Sequence, residues 1–148
     1  MITRQALVEA LVKLPLLEEL ELSQCSLAEE SLKVVCQSCP NLKTLKLNKF
    51  GHRADLGIVS DVVALAISET MRGLVHLQLV GNYLTNSGLN AILDNCPNLE
   101  HLDLRRCFNL NLVGDLEKRC LERIKYLRRP NDSTLDYPFH ATIVAMDS

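Results

Sequence analysis

The sequence predicts an α/β solenoid: a horseshoe with short parallel strands on its concave face and helices on its convex face. Three observations carry the prediction. Leucine supplies 29 of the 148 residues while Trp is absent and aromatics make up only 4%, a bias too strong for an average globular mixture. The leucines recur as LxxLxL, in four copies beginning at Leu17, Leu42, Leu74 and Leu99, spaced 25, 32 and 25 residues apart. Between copies the apolar spacing changes from that of a strand to i, i+3, i+4, i+7, the stripe of an amphipathic helix. Leucine-rich repeats run to roughly 20–29 residues, so the longer interval reads as one unit with an insertion.

The elements follow in order. Leu7, Ala10, Leu11 and Leu14 ahead of Pro15 make residues 1–16 the helix of an incomplete first unit. The missing strand would leave an apolar end for another domain or partner to cover. Units then begin near 17, 42, 74 and 99, each opening on the LxxLxL strand. Their helix stripes are Leu32, Val35, Cys36, Cys39, then Ala64, Ile67, Ser68, Met71, then Leu89, Ile92, Leu93, Cys96. Ser26 and Glu29 form a capping box for the first of these, and Pro40 and Pro97 stop two of them. The insertion, Phe50 to Gly57, falls between strand and helix, where added loops often join a binding face. Leu121-x-x-Ile124-x-Tyr126 reads as a degenerate fifth copy, so the units span 17–129. Residues 130–148, with Tyr137 and Phe139 around Pro138, are either a C-terminal cap or a frayed tail.

Composition excludes several functions. A net charge of −2 lacks the basic footprint of a nucleic-acid binder, and the run Lys118, Arg119, Arg123, Lys125, Arg128, Arg129 is interrupted by Leu121, Glu122, Ile124 and Tyr126. No stretch approaches the ~20 apolar residues of a membrane span, and Glu9 and Lys13 interrupt any secretion signal. The expected location is therefore the cytoplasm or nucleus, where the six cysteines stay reduced and the glycosylation pattern Asn131-Asp132-Ser133 is silent. Cys36-Gln37-Ser38-Cys39 has a zinc-like spacing, but both cysteines sit on the helix stripe without a second CxxC, which favours core packing. Cys25, Phe50, Asn82 and Cys107 share one place, the turn from strand to helix, where Asn or Cys satisfies backbone groups. Nucleophile elbows, zinc-protease helices and phosphate loops are all missing, so no enzyme, metal or cofactor is expected.

The concave face remains. Glu21, Lys46, Gln78, Asp103 and Lys125 fall between the last two apolar positions of each motif, with Glu19, Asn48, Arg105 and Arg106 nearby. His76 and His101 share another row, about 4.8 Å apart if the strands pair in register. They could form a metal or pH-sensitive site, or be ordinary surface polarity. These eleven residues are the expected partner-binding set, running from acidic in the first strand to basic in the last two, to which Arg123 and Arg128 also contribute. The plainer reading is a solvated sheet with pairs such as Glu21 and Lys46.

The run GNYLTNSGLNAILDNCPNLEHLDLRRCFNL from Gly81, and RCLERIKYLRRPNDSTLDYPF from Arg119 to Phe139, resemble the closing repeats of plant F-box/LRR proteins of the Skp-adaptor-interacting type. The resemblance covers roughly the second half of the chain closely and Leu17 to Leu47 more loosely. In that family an F-box binds the Skp adaptor of a cullin-based ubiquitin ligase and the repeats hold the protein to be ubiquitinated. The resemblance thus implies a non-catalytic substrate-recognition module, with Skp and cullin reached through an F-box that these residues do not contain. The alternative is a ubiquitin-independent scaffold or decoy. Arg72 departs from the pattern, standing where Pro40 and Pro97 stand in the other units.

Overall fold

The computed structural model of the chain describes residues 4–14, 16–23, 28–49, 57–136 and 142–146. Helix and strand alternate as α1 (Arg4–Val12), β1 (Glu19–Ser23), α2 (Glu29–Ser38), β2 (Thr44–Asn48), α3 (Val62–Thr70), β3 (His76–Gln78), α4 (Asn86–Asn95), β4 (His101–Asp103), α5 (Gly114–Arg123) and β5 (Tyr126–Arg128), followed by β6 (Thr142–Met146). Strands β1 to β5 pair in sequence order as a parallel ladder, and β6 adds antiparallel to the outer edge of β1. Crossovers of one hand between successive neighbours put the helices on one face of the sheet. There each helix from α1 to α5 packs on the next. The fold is mixed α/β, with one sheet face backed by helices and the other, among the described residues, uncovered by any helix.

The core explains the leucine bias. All three leucines of each of the four motifs are buried, and so is every residue of the three helix stripes, Cys36 and Cys39 included. Each fully buried leucine contributes about 1.5–3 kcal/mol relative to exposure. Burial, with the neighbouring Cys39 adding to it, pushes the Cys36 thiol up to about 12. It therefore stays protonated and packs as a small hydrophobe. On α1 Leu11 alone of the expected stripe is buried among the described side chains, while Ala10 and Leu14 are exposed.

The turn position behaves as its residue types suggest. Asn82 Nδ2 donates to the Leu47 carbonyl at 2.5 Å, and Cys107 Sγ donates to the Leu79 carbonyl at 2.8 Å. Each side chain thus satisfies the third leucine's carbonyl one unit back. Cys25 and Phe50 lie outside the described residues.

Three expectations change. The fifth copy is displaced by three residues: His101 pairs with Tyr126 and Leu102 with Leu127, so its register begins at Ile124 and restores the 25-residue interval. Leu121 is on α5 and 58% exposed; α5 runs almost into its strand because this unit lacks the Cys-Pro-Asn connection. Secondly, α2 starts at Glu29 with Ala28 as its N-cap, too late for the Ser26 capping box, and Ser26 itself lies outside the described residues. Glu29 instead pairs with Lys49 at 2.8 Å. Thirdly, the tail does not stop at the C-terminal end. Thr142 pairs with Ser23 and Met146 with Glu19, so β6 supplies backbone partners to the first strand, where an open edge was expected. Tyr137 and Phe139, like residues 50–56 of the insertion, lie outside the described residues.

Gly88, in the first turn of α4, lets two helices close. A Cβ there would meet Asp61 Oδ1 at 2.4 Å and the Ala64 Cβ at 2.9 Å. Asp61 cannot easily retreat, since its carboxylate accepts from the Thr85 backbone N–H and hydroxyl, both at 2.7 Å. Gly88→Ala should therefore destabilise the chain by about 1–3 kcal/mol, read as a lower urea midpoint with unchanged slope. An unchanged or higher midpoint would show that α3 and α4 are less closely engaged.

Candidate functional site

Register fixes which side chains share the open face. One row runs Glu19, Thr44, His76, His101, Tyr126 and the next Glu21, Lys46, Gln78, Asp103, Arg128. The first row ends in a stack. The His76 and His101 rings lie 4.9 Å apart at 8°, and His101 and Tyr126 lie 4.4 Å apart at 16°. In-plane lone pairs of stacked imidazoles run parallel and do not converge, so this geometry serves packing better than metal binding.

The second row carries a hydrogen-bond network across all five parallel strands. Ser23 Oγ donates to Glu21 Oε2 at 3.1 Å, and Asn48 Nδ2 donates to Ser23 Oγ at 2.9 Å and Gln78 Oε1 at 2.8 Å. Asn48 Oδ1 accepts from the Val80 N–H at 3.0 Å. Gln78 Nε2 then donates to Asp103 Oδ2 at 3.1 Å. Asp103 is clasped by Arg105, whose Nη2 and Nε donate to it at 2.7 and 3.0 Å. Both members of that pair are buried, which is sustainable because the two charges meet in a bidentate pair and Asp103 also accepts from Gln78 and the Arg105 backbone N–H. The remaining Arg105 nitrogen, Nη1, reaches the Ser133 carbonyl at 3.1 Å and Asp136 Oδ1 at 2.8 Å, and Arg128 meets Asp136 Oδ2 at 3.0 Å. A cleft of about 400 Å³ opens here, lined by His76, His101, Tyr126, Arg105, Arg128 and Asp136, among others.

The expected set divides. Glu19, Glu21, Lys46, His76, Gln78 and His101 are half-buried on the open face. Asn48, Asp103 and Arg105 are buried and belong to the internal network, because their polar atoms are consumed by neighbouring strands. Arg106 lies in the turn after β4 at φ 61, the left-handed place that Gly81 takes one unit earlier at φ 73. Lys125 precedes β5 and pairs with Glu100 at 3.0 Å; Arg128 takes the row position expected for it. Arg123 is on α5, not a strand, and donates to the Leu93 and Cys96 carbonyls at the end of α4. The acidic-to-basic gradient is thereby shortened. Lys118, Arg119 and Arg129 also have acidic partners, in Glu122, Asp94 and Glu117.

Sequence reasoning missed Tyr126, Arg128 and Asp136 as members of one site. The first two were within reach: Tyr126 follows His101, and Arg128 follows Asp103, by the same 25 residues that separate His76 from His101. Asp136 falls in no repeat, and no local signal marks it.

The pH response has two windows. Desolvation, then the charges of Lys46 and His101, hold His76 below its ordinary value of 6.5, against the pull of Asp103 and Glu19. A fold that prefers neutral imidazole is fully stabilised above that value and loses stability as pH falls through it. For Asp136, desolvation works upward, but the hydrogen bond and charge of Arg105, with Arg128 beyond, leave the carboxyl below its ordinary 3.8. Its contribution is present above 3.8 and lost only in stronger acid. Between pH 7.5 and 5 the melting temperature should thus fall, and His76→Gln should flatten that slope. A slope unchanged by the substitution would contradict this assignment.

No family model matches the chain. It is 64% identical over 135 residues to F-box protein SKIP19 of Arabidopsis thaliana, covering 91% of this chain and 43% of that protein. It is 62% identical over 138 residues to F-box/LRR-repeat protein 22 of the same plant, covering 93% of this chain and 44% of the relative. A more distant relative, Arabidopsis F-box protein SKIP1, is 32% identical over 125 residues, 76% of this chain and 41% of that protein. The chain spans less than half the length of each of these relatives.

Proposed function

The chain belongs to the plant F-box/LRR-repeat family, and from that membership we propose that it is the protein-capturing part of an SCF-type ubiquitin-ligase adaptor. In this reading the parallel ladder is an arc of a horseshoe solenoid, and its open face receives the protein to be ubiquitinated. The module is non-catalytic, acts in the cytoplasm or nucleus, and reaches the Skp adaptor and cullin through an F-box elsewhere in the full-length protein. One observation carries the reading: five strands present polar and ring side chains, most of them half-buried or exposed, in fixed rows on a face that no described helix covers. Preformed sheet faces of this kind suit protein recognition, since their side chains are already ordered.

The test uses the full-length protein. Lys46→Glu with His101→Ala should abolish capture of the ubiquitinated partner and leave co-purification of the Skp adaptor intact. Leu65→Glu, at an exposed site on α3, should change neither. Loss of the partner with Leu65→Glu alone would move the binding surface to the helices. A partner that is retained but never ubiquitinated would favour a scaffold or decoy.

A further inference from the structure

We propose that the Arg105–Arg128 pair is a receptor for an acidic side chain on the captured protein, and that Asp136 is its built-in occupant. The proposal rests on the open-face reading above and names the chemistry of one subsite within it.

The receptor is made before any ligand arrives. Asp103 holds one edge of the Arg105 guanidinium through Nε and Nη2, and Asp103 is itself fixed by Gln78 and by the Arg105 backbone N–H at 3.1 Å. Nη1 faces the cleft. Its two N–H groups take a backbone carbonyl, from Ser133, and a carboxylate oxygen three residues later, from Asp136. Arg128, at the end of the same row, takes the other carboxylate oxygen. Planar guanidinium donors arranged this way match a carboxylate held in two directions.

Charge follows the same logic. Asp103 and Arg105 cancel, so without Asp136 the cleft carries the uncancelled charge of Arg128 beside an oriented Nη1. An anion is the complementary guest. The resident shows which kind: a side-chain carboxylate on a turn whose own carbonyl three residues earlier is also bound, a pairing that a free chain terminus does not reproduce. The recognised feature is therefore an internal Asp on a turn of the partner protein, with the carbonyl three residues earlier turned to the same side.

The occupant is held for exchange. Residues Ser133 to Asp136 contribute almost no apolar burial, with Leu135 96% exposed, and the Asp136 side chain is 56% exposed. The segment stays through a few polar bonds at the surface, and local openings of this kind cost little. A partner offering the same carboxylate, with further contacts to the stacked rings, displaces it.

The probe is the resident sequence itself, a fluorescent peptide Asn-Asp-Ser-Thr-Leu-Asp amidated at its C-terminus so that the side chain carries the only carboxylate at that end, titrated against the 148-residue chain. If the internal carboxylate fills the site about nine-tenths of the time, Asp136→Ala should tighten probe binding about tenfold. Changing the probe's last Asp to Asn, or combining Asp136→Ala with Arg128→Gln, should erase that gain. Arg128 is half-exposed, so its removal leaves the fold intact, and a circular-dichroism melt verifies each variant. Equal affinity for the parent chain and Asp136→Ala would overturn the proposal. So would an Asn probe that binds as well as the Asp probe. If the open-face variants above still abolish capture while the probe shows no carboxylate dependence, this subsite fails and the wider reading stands.

Discussion

Replacing Asp103 by Asn is expected to destabilise the chain by about 3–5 kcal/mol, the range for breaking one partner of a buried ion pair. Arg105 and Asp103 expose only 4% and 9% of their side chains, so water cannot take over the donors that Asp103 releases. The cost is mainly that of a buried guanidinium left with one edge unmatched. The pair itself adds less. Replacing both residues, Asp103→Asn with Arg105→Gln, should therefore recover part of the loss, with a coupling of at least ~1 kcal/mol in a double-mutant cycle. Urea midpoints at constant slope measure it. Strict additivity of the two single changes would mean that the pair is not coupled and that the network across the strands is decorative.

Leu77→Ala should cost about 2–5 kcal/mol. Leu77 is the second leucine of its motif, in the third of five strands, and is fully buried. Its neighbours on β2 and β4, Leu45 and Leu102, occupy the same row and cannot move inward to fill the gap without breaking their own pairing. Leu121→Ala should change stability by no more than ~0.5 kcal/mol. Both residues sit in stretches that resemble the repeat motif, yet only the first lies on a strand. A large effect at Leu121 would show that the fifth unit begins there and that the pairing of His101 with Tyr126 is wrong.

Much of this was legible in the sequence for a simple reason. A leucine that must point at a helix every second strand residue, and a helix that must return a stripe at i+3 and i+4, leave two periods that no other arrangement shares. Hence the strands inside the motifs that open at Leu17, Leu42, Leu74 and Leu99, their buried stripes and the adjacency of His76 and His101 followed from spacing alone, whereas the stacking of the two rings did not. The failures have physical causes too. Leu121, Ile124 and Tyr126 imitate the motif because α5 continues into the turn that the units at Pro40 and Pro97 spend on Cys-Pro-Asn. Arg123 looked like part of a basic strand because composition does not tell a surface charge from one that caps the carbonyls of α4.

The site was harder than the fold. Asn48, Asp103 and Arg105 were identified by their place along the motif, but their burial depends on partners 25 to 31 residues away. Sequence order gives no distance across a ladder until register is known. Asp136 and β6 lie beyond the last repeat, so the periodicity that located everything else is silent about them. Pairing of Thr142–Met146 with Glu19–Ser23 joins the two ends of the chain in sequence, a closure that only the tertiary structure reveals.

The open face, and not the helical face, is the surface proposed to hold the partner protein. A photo-activated crosslinker placed at Thr44, between Glu19 and His76 on the open face, and separately at Leu65 on α3, tests it in the full-length protein bound to its Skp adaptor. The ubiquitinated partner should be crosslinked from position 44 and not from position 65. Crosslinking from position 65 alone would contradict the account.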